Sequence, residues 1–179
     1  MKGAILAGGA GTRLGGVSKA MVELDGRPLA AHVADVLAEV CEQVAIVCKP
    51  ETELPDIPGV ERWDEPAEPR HPVTGIVHAL EQAAGPVLVC AVDMPWVTAD
   101  ACRSLLAAAP GDPAAVAVAN GEMCPVFGVY APEALAALRA GRPDAPLRET
   151  VKALDPARVA LPPALLRSVN ARADLDAQR

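Results

Sequence analysis

Short apolar runs that alternate with segments of helical periodicity constrain the fold of this chain more than any other feature. Residues 86–92 (PVLVCAV) carry no charge, as expected for a strand buried on both faces of a parallel sheet. Residues 2–7 and 43–48 are further short strands, and apolar residues at helical spacing follow Pro28. Strands that alternate with helices predict a three-layer α/β sandwich with a mostly parallel central sheet.

The rest of the chain continues this alternation without a break between domains. The pattern predicts strands near 60–63 and at 114–118 and 125–130, and helices at 74–84, 98–109, 132–140 and near 171–178. No internal repeat and no long linker interrupts it. A length of 179 residues suits one domain with a full core, so we expect a single domain over residues 1–179.

Charge and composition argue against a nucleic-acid partner. The 16 basic and 23 acidic residues give a net charge of 16 − 23 = −7, and an acidic chain is a poor general binder of nucleic acid. Aromatic residues make up only 2% of the chain, which leaves few platforms for stacking bases.

Cysteine content and hydropathy favour a cytoplasmic protein. The chain has five cysteines and no CxxC pair, which predicts buried, reduced thiols rather than a disulfide framework. The sequence shows no signal-peptide pattern and no apolar run of about 18 residues. We therefore expect no membrane partner, and a monomer or weak oligomer.

A glycine-rich loop follows the first strand. Residues 6–19 contain five glycines together with Arg13 and Lys19. Backbone N–H groups of such a loop can approach a phosphate, and the two cations can bind its oxygens. Ala20 directly after Lys19 excludes a Walker A loop, and Leu14 stands where a dinucleotide fingerprint needs glycine. The loop predicts phosphate binding, with a surface loop carrying two solvated cations as the alternative.

A single carboxylate follows the central strand. Asp93 comes directly after the apolar run 86–92, and ligands of open α/β sheets bind at the carboxyl ends of strands. Mg²⁺ is commonly held by one or two carboxylates together with phosphate oxygens. Asp93 is therefore a candidate metal ligand, and a turn-capping role next to Pro95 is the alternative.

Several motifs resemble one enzyme family. Residues 6–19 (LAGGxGxRLGGxxK) followed by 23–29 (ELDGRPL) resemble the opening of molybdenum cofactor guanylyltransferases, and residues 91–96 (AVDMPW) resemble their Cys-Asp-Met-Pro-Phe segment. Residues 124–130 and 169–170 are similar to two later segments of that family. The resemblance implies a Rossmann-like sheet of the nucleotide-diphospho-sugar transferase type. It also implies GTP and molybdopterin as substrates, Mg²⁺ as cofactor, and molybdopterin guanine dinucleotide and pyrophosphate as products.

Roles for individual residues follow from the motifs and the resemblance. Arg13, Lys19 and Asp93 are the candidate catalytic residues, and Asp93 is the candidate metal ligand. The candidate nucleotide-binding residues are Leu6, Ala7, Gly8, Gly9, Gly11, Arg13, Lys19, Asp64 and Asp93. As in the family, the backbone of residues 6–8 would read the base. Asp64 would accept a hydrogen bond from the base or from a ribose hydroxyl. Alternatively, it would be a solvated surface charge.

Other functions and residues stay open on the sequence alone. A cytidylyltransferase, a sugar- or alcohol-phosphate nucleotidyltransferase, and a nonenzymatic nucleotide-binding regulatory protein are the alternatives. Cys124 is interpreted as a structural thiol. Asn170 suits either the N-cap of the last helix or a contact with metal or acceptor. The histidines His32, His71 and His78 are weak metal candidates.

Overall fold

The computed structural model describes residues 1–8, 18–142, 144–171 and 173–176. Its strands are β1 (Lys2–Leu6), β2 (Glu23–Leu24), β3 (Arg27–Pro28), β4 (Gln43–Cys48), β5 (Val60–Asp64), β6 (Val87–Ala91), β7 (Ala114–Ala119), β8 (Glu122–Tyr130) and β9 (Ala157–Ala160). Its α-helices are α1 (Leu29–Ala38), α2 (Pro72–Ala83), α3 (Ala99–Ala108), α4 (Leu135–Ala140), α5 (Leu147–Lys152) and α6 (Ala173–Asp176). Short 3₁₀ helices cover Lys19–Met21, Pro132–Ala134 and Pro163–Leu166. Three predicted site residues, Gly9, Gly11 and Arg13, lie outside the described residues.

One seven-stranded sheet forms the centre of the fold, in the order β5-β4-β1-β6-β8-β7-β9. Strand β8 runs antiparallel to its neighbours β6 and β7, whereas the other adjacent strands pair in parallel. The β7–β8 hairpin turns at Asn120 and Gly121, which both have positive φ, as a tight hairpin turn requires. The predicted α/β fold with a mostly parallel sheet is confirmed.

The central strands are apolar throughout because helices cover both faces of the sheet. Side chains alternate between faces along a strand, so Ile5 and Leu88 pack with α1 and α3, whereas Ala4 and Val89 pack on the other side. That second layer is built from α2, α4 and α5. The two buried clusters explain why the run at 86–92 holds no charged residue.

Helix α2 begins two residues earlier than the predicted start at 74. Pro72 fits the first helical turn because an N–H is not needed there, and Nδ1 of His71 accepts the N–H of Val73 at 3.2 Å. The helix ends where Ala84 takes a left-handed conformation with φ of 52°. The start of the helix matters for the site, because Arg70, His71 and Pro72 line the cleft at the edge of the sheet.

Strand β8 is longer than predicted, and a proline lies inside it rather than at its start. It begins at Glu122, before the expected 125–130, and includes Pro125. The β7–β8 register shifts between Val116 and Ala117, whose partners are Gly128 and Cys124. Pro125 therefore has no regular partner on β7. Its missing N–H breaks no hydrogen bond of the ladder there.

The predicted tail of short elements consists of α5, β9, a 3₁₀ turn and α6. The helix expected at 132–140 divides into the 3₁₀ turn Pro132–Ala134 and α4. Of the helix expected near 171–178, the structure describes Ala173–Asp176. No helix in the described part of the chain has the length and apolar content that crossing a bilayer requires.

The apolar stripe of α1 supports a stability prediction. Leu37 is fully buried against the sheet, and we expect Leu37→Ala to lower the free energy of unfolding by about 2–5 kcal/mol, measured by urea denaturation. Asp35→Ala on the exposed side of the same helix is the control and changes stability by less than about 0.5 kcal/mol. Equal losses in the two variants would contradict this packing.

The cysteines are free thiols, as predicted, and Cys48, Cys90 and Cys102 are buried, whereas Cys41 and Cys124 are partly exposed. Burial raises the pKa of Cys41 and Cys48 to about 11 and that of Cys102 to about 12. Because the thiolate is the reactive form, we expect slow modification of the native protein by a disulfide reagent at pH 8. All five thiols should react promptly in guanidinium. A rapid native phase of one thiol or more would show that a cysteine is open to solvent.

Candidate active site

A cleft of about 390 Å³ opens at the carboxyl edge of the parallel strands. Parallel strands end at one edge of the sheet, so residues far apart in sequence meet there. Its lining includes residues that follow or end these strands: Leu6, Ala7 and Gly8 at β1, Lys49 after β4, Glu65 after β5 and Asp93 after β6. Lys19 also lines it.

Lys19 and Asp93 contact each other across this cleft. Nζ of Lys19 lies 2.6 Å from Oδ2 of Asp93, and the two side chains are 20% and 18% exposed. Lys19 opens the 3₁₀ helix Lys19–Met21, and the Ser18 hydroxyl caps it by accepting the N–H of Ala20. Two of the three candidate catalytic residues are thereby brought together, 74 positions apart in sequence.

The segment before α6 completes this group. Nζ of Lys19 also donates to Oδ1 of Asn170 at 2.9 Å, and the N–H of Val169 donates to the Asp93 carbonyl at 2.8 Å. The Asp174 carboxylate accepts the N–H groups of Asn170 and Ala171, and these hydrogen bonds lower its pKa. The Asn170 side chain thus faces Lys19, and Asp174 holds the backbone of the segment.

The two oxygen atoms that face Lys19 are of the type that binds a divalent cation. The Lys19 ammonium group lies between a carboxylate oxygen of Asp93 and the amide oxygen of Asn170, and carboxylate and amide oxygens suit hard cations. No cluster of three or more His, Cys, Asp and Glu side chains is found among the described residues. Such a sparse donor set is typical of sites where substrate phosphates and water supply the other ligands.

The adjacent carboxylates Asp64 and Glu65 occupy different environments. Asp64 is about half exposed and accepts from Nε of Arg62 at 2.7 Å, and it does not line the cleft. Glu65 is only 4% exposed and does line it. Consecutive side chains of an extended segment point in opposite directions, so only one of the two can face the cleft. The nucleotide contact of Asp64 stays a prediction, and Glu65 is a site residue that the motifs did not reveal.

Glu65 forms a buried ion pair with Lys49, which is only 2% exposed. Nζ of Lys49 lies 3.5 Å from Oε1 of Glu65 and donates to the carbonyls of Pro66 at 2.5 Å and Pro69 at 3.3 Å. Burial raises the pKa of Glu65, and Lys49 opposes the rise. The other oxygen, Oε2, has no hydrogen-bond partner among the described residues. Burying such an atom costs about 1–3 kcal/mol, and a buried ion pair adds little net stability.

Part of the backbone expected to read the base is used by the sheet. The Ala7 N–H donates to the Val47 carbonyl at 2.8 Å, and the Leu6 carbonyl accepts the N–H of Val92 at 3.0 Å. Since an N–H group makes one strong hydrogen bond, Ala7 cannot donate to a base.

The cleft is locally basic although the chain is acidic. Its described lining contains three cations, Lys19, Lys49 and Arg70, and two carboxylates, Glu65 and Asp93. The whole chain has a net charge of −7. An excess of cations in a concave lining favours the approach of a polyanion such as a triphosphate, although Arg70 is also paired with Glu51.

The cysteine and the three histidines that the sequence singled out lie among contacts within the fold. Burial raises the pKa of Cys124, whose Sγ lies 4.0 Å from Sδ of Met94, which fits the interpretation as a structural thiol. Nε2 of His32 lies 2.9 Å from the Leu24 carbonyl. Burial lowers the pKa of His78. His71 caps α2 and also lines the cleft.

Comparison with known proteins agrees with this geometry. The model of the MobA-like NTP transferase domain matches residues 3–159. The chain belongs to this family. Its relatives include a molybdenum cofactor guanylyltransferase of Cereibacter sphaeroides, 35% identical over 138 residues that cover 72% of this chain and 67% of the relative. Another of that name from Pseudomonas putida is 35% identical over 129 residues, 70% of this chain and 67% of the relative.

Solved structures share the fold. The molybdopterin-guanine dinucleotide biosynthesis protein A of Archaeoglobus fulgidus superposes with a TM-score of 0.79 at 22% identity, covering 99% of this chain and 96% of that one. The 2-C-methyl-D-erythritol 4-phosphate cytidylyltransferase of Thermus thermophilus superposes with a TM-score of 0.68 at 22% identity. The match covers 97% of this chain and 95% of that one. MobA-like family membership confirms the prediction of a nucleotidyltransferase, and enzymes of this family generally use a divalent metal.

Proposed function

We propose that this MobA-like enzyme transfers the guanylyl group of GTP to the phosphate of molybdopterin, with Mg²⁺ as the divalent metal. An acceptor phosphate oxygen attacks the α-phosphorus of GTP, a new P–O bond forms, and the bond from the α-phosphorus to the bridging oxygen breaks. Pyrophosphate leaves with the electron pair. The relatives named molybdenum cofactor guanylyltransferase support this choice of substrates.

One observation carries the proposal. Lys19 from the end of the phosphate loop and Asp93 from the end of the central strand contact each other at 2.6 Å in one basic cleft. Direct in-line transfer from the triphosphate to the acceptor requires no protein nucleophile, so positioning and neutralisation of charge account for most of the catalysis. A cation beside a carboxylate at the end of parallel strands can position the phosphates and neutralise their charge.

The residues present would hold the metal through the Asp93 carboxylate and the Asn170 amide oxygen. When bound, Mg²⁺ would neutralise charge on the phosphates and help orient them. Lys19 would bind oxygens of the α-phosphate and of the departing pyrophosphate, and Arg13 would clamp the triphosphate with its planar fork. Asp174 would keep Asn170 directed at this point by holding the backbone of its segment.

The test is the release of pyrophosphate from four nucleoside triphosphates with molybdopterin and Mg²⁺. We expect GTP to be turned over fastest, with molybdopterin guanine dinucleotide formed in equal amount to pyrophosphate. Faster turnover of CTP would instead identify a cytidylyltransferase, which shares this fold. Tight GTP binding without any pyrophosphate release would identify a nonenzymatic binding protein.

A further inference from the structure

The Lys19 ammonium group contacts the same two side chains that are proposed to hold the metal. Nζ lies 2.6 Å from Oδ2 of Asp93 and 2.9 Å from Oδ1 of Asn170. An ammonium group only donates hydrogen bonds, so it satisfies these oxygens much as a bound cation does. Mg²⁺ coordinates such oxygens at about 2.0–2.1 Å, and two cations on one carboxylate repel each other. The lysine contact and metal binding at Asp93 are therefore alternatives.

The backbone holds the two acceptors in place, whereas the lysine can turn away from them. The N–H of Val169 donates to the Asp93 carbonyl at 2.8 Å, and the Asp174 carboxylate accepts the N–H of Asn170 at 2.7 Å. The backbone of Lys19 belongs to the 3₁₀ helix that it opens, but its ammonium group is carried on a flexible four-carbon stem. Rotation of that stem moves the charge and leaves the rest of the site where it is.

The described lining of the cleft offers a lone metal ion no excess of negative charge. It contains two carboxylates, and each is paired with a lysine: Asp93 with Lys19, and Glu65 with Lys49. A hard divalent cation is bound by the charge of its ligands as well as by their oxygens. A triphosphate changes this balance, because its oxygens attract the Lys19 ammonium group and also add ligands for the metal.

We propose that Lys19 makes metal binding at Asp93 conditional on the nucleotide. Without nucleotide, the ammonium group occupies the oxygens of Asp93 and Asn170, and the triphosphate draws it away and leaves these oxygens to the metal. Because coupling between two ligands is reciprocal, the metal strengthens nucleotide binding by the same factor. The inference rests on the proposed function, from which it takes the metal ligands and the triphosphate. It gives Lys19 a role before the chemical step, in addition to its contact with the phosphates.

Removal of the Lys19 charge tests the proposal through a gain of binding. The apparent affinity of a site falls with the fraction of molecules in which the site is accessible, so a contact formed in about 90–99% of molecules weakens metal binding about tenfold to a hundredfold. We expect nucleotide-free Lys19→Met to bind Mn²⁺ more tightly than wild-type protein by this factor. Water proton relaxation, which responds to protein-bound Mn²⁺, measures both affinities. Equal affinities of Lys19→Met and wild type would overturn the inference.

Two further variants locate the gain. Lys152→Met makes the same chemical change at an exposed position that does not line the cleft, and it should keep the wild-type affinity for Mn²⁺. The double variant Lys19→Met with Asp93→Asn also removes the carboxylate charge, and it should lose the gain. Unfolding cannot imitate the expected result, because an unfolded chain has no assembled site at which binding could tighten. If the gain persists in the double variant, the metal lies elsewhere and the inference is overturned.

A parallel Mn²⁺ titration with GTP present, and without acceptor, distinguishes this inference from the proposed function. If Asp93→Asn then binds Mn²⁺ as tightly as wild type, the metal assignment of the proposed function fails and the inference fails with it. If Asp93→Asn weakens that binding but Lys19→Met gains no affinity without GTP, only the inference is overturned. A gain in Lys19→Met together with a loss in Asp93→Asn supports both.

Discussion

Replacing Asp93 with alanine should lower kcat for guanylyl transfer by about a hundred- to a thousandfold, the typical effect of removing one group that stabilises transition-state charge. Asp93 contacts Lys19 at 2.6 Å at the carboxyl edge of the sheet and is the carboxylate that we propose holds the metal together with Asn170. The measurement is the initial rate of pyrophosphate release under saturating GTP and metal.

The loss should occur without unfolding, because the Asp93 side chain lies at the cleft and contributes nothing to the apolar clusters. Thermal denaturation of the variant checks this point. Asp56→Ala removes an exposed carboxylate and therefore changes net charge equally, so it should keep the wild-type rate. Turnover near wild type in Asp93→Ala would remove this residue from the mechanism.

Replacing Lys19 with alanine should cost a similar factor, about a hundred- to a thousandfold in kcat/KM. Its ammonium group, 20% exposed, is the described cation that directly contacts the candidate metal ligand, and no other described side chain of the 18–21 segment carries a positive charge. Because a triphosphate binds through its charge, the apparent KM for GTP should rise as kcat falls. Steady-state kinetics with GTP as the varied substrate measure both.

Lys152→Ala provides the matched control. Lys152 is exposed on α5 and does not line the cleft, so it should retain full activity. Lys19 and Asp93 act at one point, and effects of groups in contact are not additive. The double variant should therefore be only slightly slower than the worse single variant. A fully multiplicative loss would show that the two residues act independently.

Much of the fold could be predicted from the sequence because its signals are local. The strand Gln43–Cys48 matches the prediction at both ends, and the strand predicted at 86–92 is seen as Val87–Ala91. Apolar runs of this kind identify strands wherever both faces of a sheet are covered. The prediction was weaker for β8, since a proline within a strand is tolerated only where its partner strand leaves a gap in the ladder.

The site was predictable only where a motif marks it. Lys19 and Asp93 stand in recognisable segments, and the rule that ligands bind at the ends of parallel strands placed them at one edge. Lys49 and Glu65 also directly follow strands, so the same rule could have revealed them. They were missed because a charged residue after a strand is common and neither belongs to a familiar motif.

The sequence by itself determined the alternation of elements, the presence of a glycine-rich loop and the carboxylate after the central strand, because each depends on neighbouring residues. Only the tertiary structure decided which distant side chains meet. Glu65 reaches Lys49 because β5 pairs with β4 in a register that sets Asp64 opposite Cys48. Asn170 reaches Lys19 across 151 positions because the last segment returns to the sheet edge. Such contacts arise from the packing of whole elements, which no local pattern encodes.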